Sequence, residues 1–480
     1  MGLPLWREIA FITVICLSMF TTQAGLGQIL PLLPAIGREF NISNNGQLSW
    51  LVAGYSLTVG TFILVSGRLG DIYGYKRMLC IGYAWFAIWS FVSGLSVFMP
   101  DKEQGFITFI FARVLSGIGP AITMPNGLGI FGSAYPDGMR KTMCFALFGA
   151  CAPSGSIVAA AFSGLFELAW WPWTFFTFAI VLVVLAVLVV IVVPSIPCAR
   201  APPRSWAETF EAMDLLGGVV GVTALVLINF AWNQAAVVGW SHNTDYVYIS
   251  LLIGIILLPC FFIIETKISA FPLIPFNVLT SDVAFVMGCI ACGWASFGIW
   301  LFYLLQFYMN LRHGSPLLTA AWFSPIPASG FAASICTGIL LSKIRTSLIM
   351  VMSMTFFLVG IILVATAPVD QIYWAQTFVC SLIIPWGMDS SFPAGTIIMS
   401  NSLSREHQGV AASLINTVVN YSVSLGLGIA ATVELHVDHG GRTAEENLLR
   451  GYRGAFYLGV GLAGAGLVIS LIFAIPLATF

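Results

Sequence analysis

Long apolar runs separated by short polar breaks follow one another from the first ten residues almost to the last. A helix needs about 20 apolar residues to cross the ~30 Å hydrocarbon core of a bilayer. On that ruler the pattern predicts fourteen spans, at approximately 9–33, 47–66, 78–99, 105–131, 142–166, 173–193, 212–233, 246–264, 283–309, 317–341, 347–366, 373–400, 408–434 and 454–477. The longest hydrophilic connections, about 194–211, 265–282 and 435–453, are too short to house a folded enzyme domain. The first run begins after Arg7 and Glu8 and continues to about Leu33. It outlasts the apolar core of a secretory signal and reads as an uncleaved first span. The expected class is an all-α polytopic membrane protein.

Composition agrees. Of 480 residues, 59% are hydrophobic and 8% charged, against about 25% charged in soluble domains. The net charge of −1 comes with no basic stripe and no acidic tail, so nothing points to a nucleic-acid partner. The ten cysteines lie mostly in apolar runs, and Cys289 and Cys292 of CIAC have no second ligand pair nearby. They read as small packing residues, and no disulfide framework, metal or cofactor is implied.

Charge does orient the chain. The face bearing the N-terminus would hold Arg7, Arg68, Lys76, Arg77, Arg140, Lys141, Arg200, Arg204, Lys267, Lys343, Arg345 and Arg405, twelve in all. The other face would hold six, namely Arg38, Lys102, Arg312, Arg442, Arg450 and Arg453. Both termini are therefore expected in the cytoplasm, and Trp170, Trp171 and Trp173 at the outer interface. The fourteen spans parse as six, two and six: an N-terminal bundle over 1–193, a cytoplasmic linker over 194–211, two inserted spans over 212–266 and a C-terminal bundle over 267–480. GRL at Gly67–Leu69 and its echo GIL at Gly338–Leu340 fall at the same place in each half. Repeated halves are how transporters build a central site.

Three segments carry candidate chemistry. GRLGDIYGYKRML, Gly67–Leu79, reads as the polar loop between spans two and three. Gly67 permits close helix approach, Gly74 a tight turn, Asp71 accepts hydrogen bonds, and Lys76 and Arg77 suit a cytoplasmic face. A solvated basic loop would look the same. RVLSGIGPA places Arg113 inside span four. At ~12 Å from the outer end it should face protein, water or solute. It would serve a proton relay or anion contact, or pair with backbone carbonyls or with Gln23 and Gln28. FGACAPSGSIVAAAFSGLF in span five presents small residues, among them Gly149, Pro153 and Gly155, suited to close helix packing.

These segments resemble, in order, the signature loop, the R-x-x-x-G motif and the antiporter motif of the major facilitator superfamily. Ile72 and Tyr75 stand where the loop usually has arginines, and Ala152 and Ala159 where the antiporter motif more often has glycine. With fourteen spans the chain resembles the drug:proton antiporter family of that superfamily. Its segment Trp386–Glu434 is similar to the fungal aminotriazole-resistance and boron-efflux branch. The resemblance implies two six-helix bundles plus two inserted helices, alternating access, and gating by Gly67, Asp71, Gly74, Lys76, Arg77, Gly149, Pro153 and Gly155. The acidic residue common in span one of the family is absent from Met19–Gly37.

A proton site must then lie elsewhere, and Asp389 is the one charge in Leu382–Met399. Near mid-membrane, hydrocarbon favours its neutral form, and access to water or a cation favours proton release. The alternative is a protonated acid that only bonds a neighbouring helix. Pro385 and Pro393 flank it and free backbone carbonyls. Ser413, Asn416, Asn420 and Ser424 recur at three- and four-residue steps, with Thr417 and Tyr421 beside them. Such a stripe faces a cavity or another helix. With Arg113, Gln23 and Gln28, the residues Asn416, Asn420 and Tyr421 are the expected cavity lining.

Other signals are weaker. GLGIFG, Gly127–Gly132, follows no strand and is no dinucleotide site. ELHVDH, Glu434–His439, reads as an interface segment, and Thr443–Glu446 as the cap of a short outer helix. The expected function is a proton-coupled exporter of small toxic solutes or metabolites. An uncoupled facilitator or proton-driven importer remains open, as more remotely does a non-transporting sensor. The expected setting is the plasma membrane or the vacuolar membrane, the expected state a monomer.

Overall fold

The computed structural model describes residues 4–136, 139–194, 205–240, 244–274, 276, 280–402 and 408–475. Most of the expected linker (195–204), with Arg200 and Arg204, lies outside the described residues, as does Arg405. Among the described residues there is no strand. That follows from the solvent: hydrocarbon offers backbone groups no partner, so each apolar run must satisfy its own by helix formation.

Besides a short helix at Trp206–Ala212, the described residues form fourteen long helical segments: α1 (Leu5–Phe40), α2 (Asn45–Tyr73), α3 (Tyr75–Phe98), α4 (Lys102–Ala134), α5 (Met139–Glu167), α6 (Trp173–Val192), α7 (Leu215–Val238), α8 (Asp245–Ile268), α9 (Ser281–Leu311), α10 (Pro316–Leu340), α11 (Thr346–Ala365), α12 (Gln376–Ser402), α13 (Gln408–Val437) and α14 (Ala444–Ala474). Thirteen of them are long and apolar enough to cross a membrane. The fourteenth, α12, has 27 residues, long enough at ~1.5 Å per residue, but carries Asp389, five serines and two prolines. An even number of crossings puts both ends of the described chain on one face, here the terminal face; the other is the distal face.

Two six-helix bundles result. In the first, α1 packs on α5, and α3 on α4 and α6; in the second, α9 packs on α13 and α14, and α11 on α12 and α14. They meet at two seams: α2 lies against α13 and α5 against α10. The second helix of each bundle thus touches the fifth of the other, the exchange expected of a repeated half. The hairpin α7–α8 is the insert. Its α7 covers the α2–α13 seam, while α8 packs chiefly on α7.

Where helices must approach closely, small residues allow it. An ideal Cβ on Gly155 of α5 would lie 2.2 Å from the Phe20 carbonyl oxygen of α1, and one on Gly27 of α1 2.2 Å from that of Ser156. At Gly117, where α4 breaks between Ser116 and Ile118, a Cβ would meet Thr58 Oγ1 at 2.2 Å and the Tyr55 carbonyl at 2.5 Å. Gly117→Val is therefore expected to pry α4 from α2 and lower the thermal midpoint of the purified protein by several degrees; an unchanged midpoint would contradict this packing.

Two expectations need correction. GRLGDIYGYKRML is not a loop: α2 runs helically to Tyr73 and α3 starts at Tyr75, with Gly74 alone between them at φ 96°. Nor does Thr443 cap a short outer helix. It is the N-cap of the 31-residue α14, its Oγ1 accepting from Glu446 N at 3.2 Å. At the distal end, Trp170 and Trp173 are partly exposed, as an interfacial belt requires, whereas Trp171 turns inward against Phe40, Phe109 and Phe175. Cys289 and Cys292 sit one turn apart on α9 against Gly466 of α14.

Candidate functional site

Asp389 lies thirteen residues from each end of α12, ~20 Å from either face of the helix. Pro385 and Pro393 both lie within the helix, which continues through them. The three polar residues of Met388–Phe392 step round the helix and address different neighbours. Ser391 Oγ accepts from Trp294 Nε1 of α9 at 3.1 Å. Ser390 shares a 2.7 Å hydrogen bond with Thr337 of α10. Asp389 points to the α5–α10 seam: a Cβ on Gly330 of α10 would lie 2.6 Å from Asp389 Oδ2 and 3.1 Å from Pro153 Cγ of α5. The acid of α12 and the proline of the antiporter-like segment thus meet across one glycine. Oδ2 is buried and has no hydrogen-bond partner. A buried polar atom left so costs about 1–3 kcal/mol.

Arg113 is fully buried. Its Nη2 donates to the Gly25 carbonyl of α1 at 2.8 Å and its Nε to the Leu51 carbonyl of α2 at 3.2 Å. Its guanidinium lies 4.7 Å over the Tyr55 ring, and Tyr55 Oη donates to the Thr22 carbonyl at 2.6 Å. The arginine ties three helices through backbone carbonyls, not through Gln23 or Gln28. Gln28 is itself buried, its Nε2 without a partner, and Gln23 is half-buried. Arg113→Leu would remove two hydrogen bonds from a charged donor, worth about 1.5–3 kcal/mol each, so its thermal midpoint is expected to fall well below wild type. A wild-type midpoint would show that the clamp carries no stability.

The stripe on α13 faces helices. Ser424 Oγ donates to the Ala53 carbonyl of α2 at 2.7 Å and lies 2.9 Å from Asn229 Oδ1 of the inserted α7. Tyr421 Oη donates to the Leu225 carbonyl of α7 at 3.0 Å, and Asn420 Nδ2 to the Asn416 carbonyl of its own helix at 3.0 Å. Asn416 is buried. The cavity residues expected from sequence therefore divide between two places, Gln23, Gln28 and Arg113 in the first bundle and the α13 stripe at the insert.

At the terminal face, Tyr75 Oη donates to Asp71 Oδ1 at 2.6 Å, one helical turn across the Gly74 bend. Lys76 Nζ donates to the Val190 carbonyl at the end of α6 at 2.9 Å, where a helix C-terminus favours a cation. Arg77 is exposed. Gly67 lies against Ser413 of α13 across the α2–α13 seam, Gly70 against Asn126 of α4, and a Cβ on Gly149 would meet open space. The tyrosine that replaces an arginine of the family pattern thus supplies the donor to Asp71. Tyr75→Phe removes that bond, for which about 1 kcal/mol of stability is expected to be lost in denaturant titration; no loss would mean the pair is idle.

Residues 14–427 match the Major Facilitator Superfamily. The chain belongs to that superfamily. It is a membrane transporter of small molecules and not an enzyme. It is 50% identical over 471 residues to the low affinity ammonium transporter of Saccharomyces cerevisiae, covering 98% of this chain and 89% of the relative. It is 45% identical to the efflux pump terJ of Aspergillus terreus (98% and 88% covered) and 38% identical to the aminotriazole resistance protein of S. cerevisiae (97% and 83%). The resemblance to a fungal drug-efflux branch is thus borne out. A POT family transporter in complex with 5-aminolevulinic acid superposes with a TM-score of 0.69 at 14% identity, covering 99% of this chain and 96% of the other, a likeness of fold.

Sequence reading of this facilitator-superfamily transporter missed two sets of residues. Gly330 was not singled out, because its role exists only against Asp389 and Pro153. Glu434 was placed at the interface, yet it is buried and accepts from Asn45 Nδ2 of α2 at 2.7 Å and from Tyr303 Oη of α9 at 2.8 Å.

Proposed function

We propose that the chain is a proton-coupled exporter of small toxic solutes or metabolites, working by alternating access of its two bundles. The observation that carries the reading is Asp389: an acid at mid-span, with a partnerless buried oxygen, at a seam between the bundles. Rocking of α5 against α10 changes its surroundings, and a carboxyl whose surroundings change between dry and wet takes up and releases a proton. Gly155 and Pro153 let α5 lie close to α1 and α10, while Asp71, Gly74 and Lys76 brace the turn at the terminal face, which we take as cytoplasmic. Arg113 braces α1, α2 and α4, Gln23 and Gln28 border the path, and the α13 stripe of Asn416, Asn420 and Tyr421 holds α13 against its helical neighbours. The partners are protons, a small solute and the bilayer of the plasma membrane or vacuole, and the working unit is a monomer. The relatives named as an efflux pump and a resistance protein support the export direction.

A second reading, a facilitator or importer of a small solute, is favoured by the relative named as an ammonium transporter. Efflux from cells loaded with boric acid, aminotriazole, methylammonium or unrelated toxic compounds, at two external pH values, separates them. Export that strengthens as the external medium is acidified supports the first reading. Solute movement down its own gradient without response to pH supports an uncoupled facilitator, and accumulation that grows with external acidity a proton-driven importer.

A further inference from the structure

At the distal face a cavity of about 500 Å³ opens between α1, α2 and α9. Asn45 and Gln306 lie in its wall, with Asn41, Asn310 and Arg38 nearer the mouth. Arg38 is drawn to Glu167, its Nη2 3.1 Å from Oε1. Behind Asn45 stands Glu434. Both its oxygens receive donors, Asn45 Nδ2 and Tyr303 Oη, and among the described residues no Lys, Arg or His forms an ion pair with it. The other titratable groups around it are Tyr303 on α9, Tyr452 on α14 and Asp438 just past the end of α13. None is a cation. A buried carboxylate without a countercharge is costly.

The hydrogen-bond directions follow from that carboxylate. It only accepts, so Asn45 must turn its amide nitrogen to it and its Oδ1 away. Gln306 Nε2 then donates to Asn45 Oδ1 at 3.4 Å, which leaves Gln306 Oε1 as a buried acceptor without a partner. Gln306 is 1% exposed. The cavity wall therefore carries an orphaned amide oxygen and, directly behind Asn45, borders a carboxylate with spare lone pairs, while the cation in its lining, Arg38, is paired with Glu167.

We propose that Glu434, Gln306 and Asn45 form a binding site for a small hydrogen-bond-donating cation, of the ammonium or primary-amine class. Its N–H groups satisfy Gln306 Oε1 and Glu434 together, and its charge neutralises the acid. A quaternary ammonium has no N–H to give and is rejected. Asn45 belongs to the first bundle and the other two residues to the second, so a cation that competes with Asn45 for Glu434 loosens the distal seam. This site is separate from Asp389 and goes beyond the export reading.

The test is the thermal unfolding midpoint of purified full-length protein in nanodiscs, titrated with methylammonium chloride against tetramethylammonium chloride and sodium chloride at constant ionic strength. Expected is a saturable upward shift with methylammonium alone, its half-saturation raised at least tenfold in Glu434→Gln and several-fold in Gln306→Leu. Should Glu434→Gln fail to fold, Gln306→Leu, which leaves the Asn45–Glu434 pair intact, decides the matter. No methylammonium-specific shift in wild type, or an unchanged half-saturation in the folded variants, overturns the proposal. Asp389→Asn is expected to keep the methylammonium shift, so loss of transport in that variant does not bear on this site.

Discussion

Asp389→Asn is expected to reach the membrane at wild-type levels and to lose export driven by a pH gradient. The substitution is nearly isosteric. It keeps the volume that Gly330 and Pro153 leave for the side chain, since a Cβ on Gly330 would already lie 2.6 Å from Oδ2. It also leaves the neighbouring Ser390–Thr337 and Trp294–Ser391 hydrogen bonds alone. What it removes is the exchangeable proton. An amide stays neutral in both conformations, so its occupancy cannot report on the outside pH. The measurement is efflux from cells at matched surface levels, at two external pH values. Equal export by wild type and variant at both values would make the acid a structural group and send the proton site elsewhere.

Gly330→Leu is expected to abolish transport by the opposite route, keeping the acid and spoiling the seam. The added Cβ alone would press on Asp389 Oδ2 at 2.6 Å and on Pro153 Cγ at 3.1 Å. Neither can yield easily: the aspartate side chain is short, and the pyrrolidine ring is rigid. Three further carbons force α5 and α10 apart, and overpacking of this kind costs about 1–3 kcal/mol. Gly330→Ala is expected to transport at a reduced rate. If Gly330→Leu transported at the wild-type rate, the α5–α10 seam would not be a moving part.

The spans were legible because hydropathy is set by the bilayer, which acts on every residue of a run alike. Their ends were less so. Arg38 and Glu39 at the end of α1, and Arg68 and Asp71 at the end of α2, read as polar breaks, yet both helices continue through them. Polarity marks where a helix leaves hydrocarbon, not where its hydrogen bonds stop; the turn itself needs only Gly74. Asp389 was legible as a lone charge. Its partners were not, because Gly330 and Pro153 come from other helices. Glu434 shows the same limit, as its donor Asn45 is 389 positions away in the chain. Read in its own segment it resembled an interfacial acid among histidines. Arg113 was legible as an arginine that must face protein, while its choice of the Gly25 and Leu51 carbonyls depends on how α1, α2 and α4 cross.

The most direct measurement is luminal pH in proteoliposomes while the solute identified by the efflux panel is added outside. The account predicts that wild-type protein moves protons against the solute and that Asp389→Asn moves none. Solute entry without proton movement in wild type, or an undiminished proton signal in Asp389→Asn, would contradict it.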